Sequence, residues 1–128
     1  MMEIAERPRI AVIDDDQSVR ESVVGLIESV GFDANFFGSA EEFLNSPQFD
    51  RVNCLILDVR LPGISGLQLY SRLKANERRI RAIFITAHVD EPACAWAIAA
   101  GAEAFLYKPF RAERLLSALR LALAKTQT

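Results

Sequence analysis

Five short apolar runs alternate along the chain with segments of helical period, and this alternation constrains the fold more than any other feature. Residues 9–14, 33–37, 53–58, 82–86 and 103–107 are β-branched or aromatic runs bounded by Gly, Pro, Asn or Asp, which predicts strands. Helices are expected at about 17–30, 40–46, 66–76, 92–101 and 111–125. In the first, Val19, Val23, Leu26, Ile27 and Val30 share a face, and Gly31 suits a left-handed cap behind it. Ser39 with Glu42 and Ser65 with Gln68 have the capping-box spacing that opens the second and third. Pro92 opens the fourth, and Leu115, Leu116, Leu119 and Leu123 stripe the fifth. Strands separated by helices of this length pair in parallel through right-handed crossovers, and apolar runs such as 54–57 need helices on both faces. The expectation is a three-layer α/β fold: a doubly wound, flavodoxin-like (βα)5 sheet of order 2-1-3-4-5, with residues 1–128 forming one domain.

Composition excludes several classes of function. With 51% hydrophobic and 25% charged residues the chain is globular, and a net charge of -2 argues against a general nucleic-acid surface. The basic cluster from Lys74 to Arg81 reads as a solvated helix end. The start, Met1 to Arg9, carries acids and a proline, and no run approaches the ~18 apolar residues of a membrane span, so a cytoplasmic protein is expected. Cys54 and Cys94 lack metal-ligand spacing and read as small buried core residues.

Chemistry concentrates where the strands end. Asp14 and Asp15 follow the first strand and Asp58 closes the third, so the carboxylates converge at the sheet edge where ligands bind in folds of this kind. Like charges so close repel unless a cation relieves them, and a hard divalent ion, Mg²⁺ above all with Mn²⁺ as the alternative, suits oxygen ligands. Thr86 after the fourth strand and Lys108 after the fifth join the same edge. A hydroxyl donor, an ammonium and a metal beside a carboxylate suit phosphoryl transfer, with Asp58 as nucleophile, Asp14 and Asp15 as metal ligands and Lys108 balancing charge on the phosphoryl oxygens. Asp16 reads as a helix cap.

The motifs Ile-Asp14-Asp15-Asp16, Asp58-Val-Arg-Leu-Pro-Gly-Ile-Ser-Gly66, Thr86-Ala87 and Lys108-Pro109, in this order, resemble the receiver domain of two-component response regulators. Asp-x-Arg-x-Pro, Thr-x-His and Phe-x-x-Lys-Pro-Phe resemble most the FixJ-type receivers, and the likeness covers almost the whole chain. The resemblance implies a CheY-like fold, a phosphoacceptor at Asp58, and Mg²⁺ held by Asp14, Asp15, Asp58 and the backbone carbonyl of Arg60. It further implies Thr86 and Phe105 as a switch pair and a cis bond before Pro109. Arg60 and His88 would face the water that removes the phosphoryl group. It implies a signalling switch, not a turnover enzyme, served by a histidine kinase or phosphotransfer protein. Receivers of this type usually precede a helix-turn-helix domain, so a chain ending at Thr128 is expected either to stand alone or to be a piece of a longer protein.

Residues 92–102 contain no charge. Ala95, Ile98, Ala99 and Ala102 are expected to pack on the sheet, leaving Ala93, Trp96, Ala97 and Ala100 outward as a partner surface. In receivers the face of helix four, strand five and helix five is the output and dimer surface. The alternative is that Trp96 folds back as a lid over its own core. Two other functions compete with the switch: a Mg²⁺-dependent phosphohydrolase with an Asp nucleophile, which needs a second Asp where Arg60 stands, and a receiver scaffold that no longer accepts phosphate.

Overall fold

The computed structural model describes residues 7–76 and 80–126. The start of the chain at 1–6 and positions 77–79 of the basic cluster lie outside them. Strands and helices alternate throughout: β1 (Arg9–Ile13), α1 (Gln17–Ser29), β2 (Asp33–Phe37), α2 (Ala40–Leu44), β3 (Cys54–Asp58), α3 (Gly66–Ala75), β4 (Arg81–Thr86), α4 (Glu91–Ala99), β5 (Ala104–Tyr107) and α5 (Ala112–Thr126). The sheet is parallel with order β2-β1-β3-β4-β5, as expected for a flavodoxin-like double winding.

Alternation along the strands divides the core in two. Ala11, Ile13, Leu55, Leu57, Ala82 and Phe84 pack with Phe43, Leu69, Tyr70 and Leu73 from α2 and α3 and with Ala93 and Ala97 from α4. Ile10, Val12, Cys54, Ile56, Ile83 and Ile85 pack with Val23 and Ile27 of α1 and Leu115, Leu119, Ala122 and Leu123 of α5. Both faces of the central strands are therefore covered, which is why β3 is apolar up to its last residue.

The helix ends follow side-chain chemistry. Asp16 caps α1 by accepting from the Ser18 and Val19 amides, and Gly31, at φ 91°, turns the chain out of it. Ser65 and Gln68 form a complete capping box on α3. On α2 only half the box forms: Ser39 accepts from the Glu42 amide, while Glu42 reaches past it to the Gly38 amide. This helix ends at Leu44, earlier than expected, and a 3₁₀ turn at Phe49–Arg51 that the periodicity does not show leads into β3.

Helix α4 corrects the expected face. Ala93 and Ala97 are buried against the sheet and Ala100 is half-buried, whereas Ala95, Ile98 and Ala99 are exposed; of the expected inward set only Ala102, just beyond the helix, is buried. The stripe lies the other way round because a run of alanines offers no hydropathy contrast between its faces, and small residues go where helix and sheet approach closely. The helix also starts at Glu91, so it does carry a charge. Trp96 keeps the outward position assigned to it at 41% exposure, while its ring edge leans on Tyr70 of α3 at a centroid distance of 6.4 Å. Cys54 is buried as expected; Cys94 is only partly so.

Candidate functional site

Register brings the chemistry together. Ile13 pairs with Leu57, Asp58 with Ile85 and Thr86 with Tyr107, so the residues that end β1, β3, β4 and β5 emerge side by side. Asp14 is fully buried: its amide donates to the Phe37 carbonyl at 3.1 Å, and its Oδ1 accepts from the Asp16 amide at 2.9 Å. Lys108 Nζ donates to Asp14 Oδ2 at 2.8 Å and to Asp58 Oδ2 at 3.0 Å, bridging the two carboxylates. Asp58 Oδ1 accepts from the Arg60 amide at 3.0 Å.

Burial pushes the Asp14 carboxyl above its ordinary value, against the opposing pull of Lys108 and the Asp16 amide, and the nearby Asp58 charge adds to the rise. For Lys108 burial acts downward, but hydrogen bonds and charge from Asp14 and Asp58 outweigh it and hold the ammonium above its usual range. The ammonium is thus the cation that makes two buried carboxylates tolerable.

A metal would add a second one. One oxygen each from Asp14, Asp15 and Asp58 lies within 4.8 Å of the others, an all-oxygen set that suits Mg²⁺. Asp15 is the exposed member, and its carboxylate has no hydrogen bond among the described residues.

Thr86 is fully buried, its Oγ1 accepts from the His88 amide at 3.3 Å, and its carbonyl accepts from the Lys108 amide at 2.7 Å. The Lys108–Pro109 bond is cis. Arg60 and His88 are exposed at the rim. Phe105 is half-buried, with its ring 6.0 Å from Phe84 and 5.5 Å from Tyr107. These contacts extend into a row of rings, because Phe84 meets Tyr70 at 5.5 Å and Tyr70 meets Trp96.

Three residues support the site in roles that the sequence does not announce. A Cβ on Gly66 would collide with the Asp58 carbonyl, so only glycine lets α3 start against the backbone of β3. Glu41 Oε2 accepts from the Ile64 amide at 3.3 Å and packs on Gly63, whose φ of 74° also favours glycine. Arg20 Nη1 donates to the Asp14 carbonyl at 2.7 Å. Gly66→Ala is expected to cost about 1–3 kcal/mol, as overpacking does, because the obstacle is backbone and cannot rotate away. A melting temperature equal to wild type would contradict this close approach.

The comparisons with known proteins agree with this geometry. Residues 10–120 match the model of the response regulator receiver domain. The chain belongs to that family. It is 46% identical over 114 residues to response regulator protein TodT of Pseudomonas putida, covering 89% of this chain and 50% of that protein. It is 44% identical over 117 residues to nodulation protein W of Bradyrhizobium diazoefficiens, covering 91% and 52%. Among solved structures, FixJ-N superposes with a TM-score of 0.81 at 32% identity, covering 92% of this chain and 94% of that one. The chain spans about half the length of the curated relatives it matches. It is therefore a receiver of two-component signalling, and its acidic cluster fits the Mg²⁺ site general to such domains. No described helix is long and apolar enough to cross a membrane.

Proposed function

We propose that the chain is a phosphorylation switch, one receiver unit across residues 1–128, which accepts a phosphoryl group on Asp58. The observation that carries this reading is the Lys108 ammonium bridging Asp14 and Asp58 beside the open carboxylate of Asp15. An Asp58 carboxylate oxygen attacks phosphorus, and the bond to the donor breaks with its electron pair. The leaving group is the imidazole nitrogen of a phosphohistidine, on a sensor kinase or phosphotransfer protein, or the carboxylate of a small acyl phosphate. Asp14, Asp15, Asp58 and the Arg60 carbonyl hold Mg²⁺, or Mn²⁺ in its place. When bound, the ion neutralises charge on the phosphoryl oxygens. Lys108 shares that task, and the Thr86 hydroxyl is drawn to the modified carboxylate. Arg60 and His88 flank the approach of water and set how long the phosphoryl group lasts. The protein acts in the cytoplasm and has no turnover substrate. Incubation with acetyl phosphate and Mg²⁺ should add one phosphoryl group to the intact mass, and EDTA should prevent it; no mass gain would refute the assignment.

Output is read on the face of α4, β5 and α5, where Trp96, Ile98 and Tyr107 are exposed, and the partner is a second copy of the chain rather than nucleic acid. The row of rings from Phe105 through Phe84 and Tyr70 to Trp96 supports a physical connection between switch and surface. Coupling of this kind is typically ~1–3 kcal/mol. Beryllofluoride with Mg²⁺, a mimic of the phosphoryl group, is expected to change the emission of Trp96 and to promote dimers that Trp96→Glu weakens. Thr86→Ala should still bind beryllofluoride but blunt the response. Unchanged emission and sedimentation at saturating beryllofluoride would rule out this output surface.

A further inference from the structure

Arg20 reaches the site through a carbonyl, not a carboxylate. It lies near the start of α1, and its guanidinium turns back under the junction with β1 so that Nη1 donates to the Asp14 carbonyl at 2.7 Å. The Cζ atom stands over the Phe36 ring at 5.7 Å from its centre, a cation–π contact with an aromatic side chain that is 58% exposed on an edge strand. On another side Nη1 lies 3.2 Å from where a Cβ on Gly38 would fall. Nε is buried with no partner among the described residues, a cost that a guanidinium extended into solvent would not incur.

The carbonyl held this way belongs to the Asp14–Asp15 peptide. Every other polar atom of Asp14 is already tied: the amide to Phe37, Oδ1 to the Asp16 amide and Oδ2 to Lys108. The Asp15 carboxylate has no such ties, so the backbone that carries it, whose peptide plane begins at the Asp14 carbonyl, sets the base from which its side chain turns toward the cluster. We propose that Arg20 is a positioning residue of the cation site: by holding the Asp14 carbonyl it fixes the Asp14–Asp15 peptide and aims the Asp15 carboxylate at the ion shared with Asp14 and Asp58. This rests on the Mg²⁺ reading above.

Charge and positioning predict opposite signs. Removing a cation beside three carboxylates should by electrostatics alone tighten Mg²⁺ binding, whereas loss of positioning should weaken it. Calorimetric titration with MgCl₂ alone should therefore show the dissociation constant of Arg20→Met rising about tenfold, the lower end for a lost outer-shell partner, with Arg20→Lys between it and wild type. The Mg²⁺ concentration for half-maximal labelling by acetyl phosphate should rise in parallel, while the labelling rate recovers at saturating Mg²⁺. A purely structural role would not separate those two quantities. Equal or tighter Mg²⁺ binding by the variants overturns the role of Arg20 and leaves the phosphorylation site standing. Failure of the wild type to bind Mg²⁺ removes both. Arg20→Lys keeps the charge and stem of the side chain, so its titration decides the matter if Arg20→Met does not fold.

Discussion

Asp58→Asn is expected to take up no phosphoryl group from acetyl phosphate under conditions that label the wild type, with the intact mass as the measurement. The loss should be complete because an amide oxygen is no substitute for a carboxylate nucleophile, and no neighbour can take the role. Asp14 is fully buried with both oxygens engaged, and Asp15 lies beyond the grip of Lys108. The fold should survive. An asparagine oxygen can still accept from the Arg60 amide, which holds the Asp58 side chain at 3.0 Å, and the substitution removes one of the charges crowding the strand ends. Near-wild-type circular dichroism with labelling abolished is thus the expected pair of results. Labelling that persists unchanged in Asp58→Asn would move the phosphoacceptor elsewhere.

How much of this was readable from the sequence depends on how local each cause is. Strand ends are local: an apolar run stopping at Asp14, Asp58 or Thr86 announces both the strand and the residue delivered to its edge, so the layers and the clustered carboxylates were legible, whereas the strand order follows from the usual winding of five such units and not from any local signal. Faces of α4 were not, since alanines at 93, 95, 97 and 99 give hydropathy nothing to separate; only the approach of helix to sheet selects Ala93 and Ala97 for burial. The supports of the site were hidden for a different reason. Arg20 folds back over six residues to a carbonyl, Glu41 reaches across 23 residues to the Ile64 amide, and Gly66 matters because of a backbone atom eight positions earlier. Each of these contacts exists only once the two stretches of backbone that it joins have been brought together. The face of Trp96 falls between these cases: its exposure was foreseen from spacing, but its edge contact with Tyr70 joins two helices and could not be.

Lys108→Met should produce the largest loss of stability, and the loss should depend on both pH and metal. The Lys108 side chain is 16% exposed and its ammonium sits between the side chains of Asp14, at 0%, and Asp58, at 10%; removing one partner from a buried ion pair typically costs about 3–5 kcal/mol, on the order of 10 °C in melting temperature for a domain of this size. Methionine keeps the bulk of the stem, so the deficit measures stranded charge rather than a cavity. Asp14 already has a folded-state pKa raised by burial, and loss of Lys108 removes two causes that oppose the rise, so it should move higher still. A carboxyl whose folded pKa lies above its unfolded value binds protons better in the native state. Its favourable contribution is present when protonated and is lost as pH rises through the folded value. The gap between Lys108→Met and wild type should therefore be widest on the alkaline side of the raised Asp14 value and shrink as pH falls toward the ordinary carboxylate range, about 4. Mg²⁺ should narrow it as well, because a cation bound by Asp14, Asp15 and Asp58 restores the missing positive charge and stabilises the folded state by mass action. Thermal melts of both proteins in EDTA and in millimolar Mg²⁺ across that range test the account directly. Equal melting temperatures in EDTA at neutral pH, or a deficit indifferent to both proton and metal, would mean that the bridging ammonium does not relieve the repulsion from which the site is built.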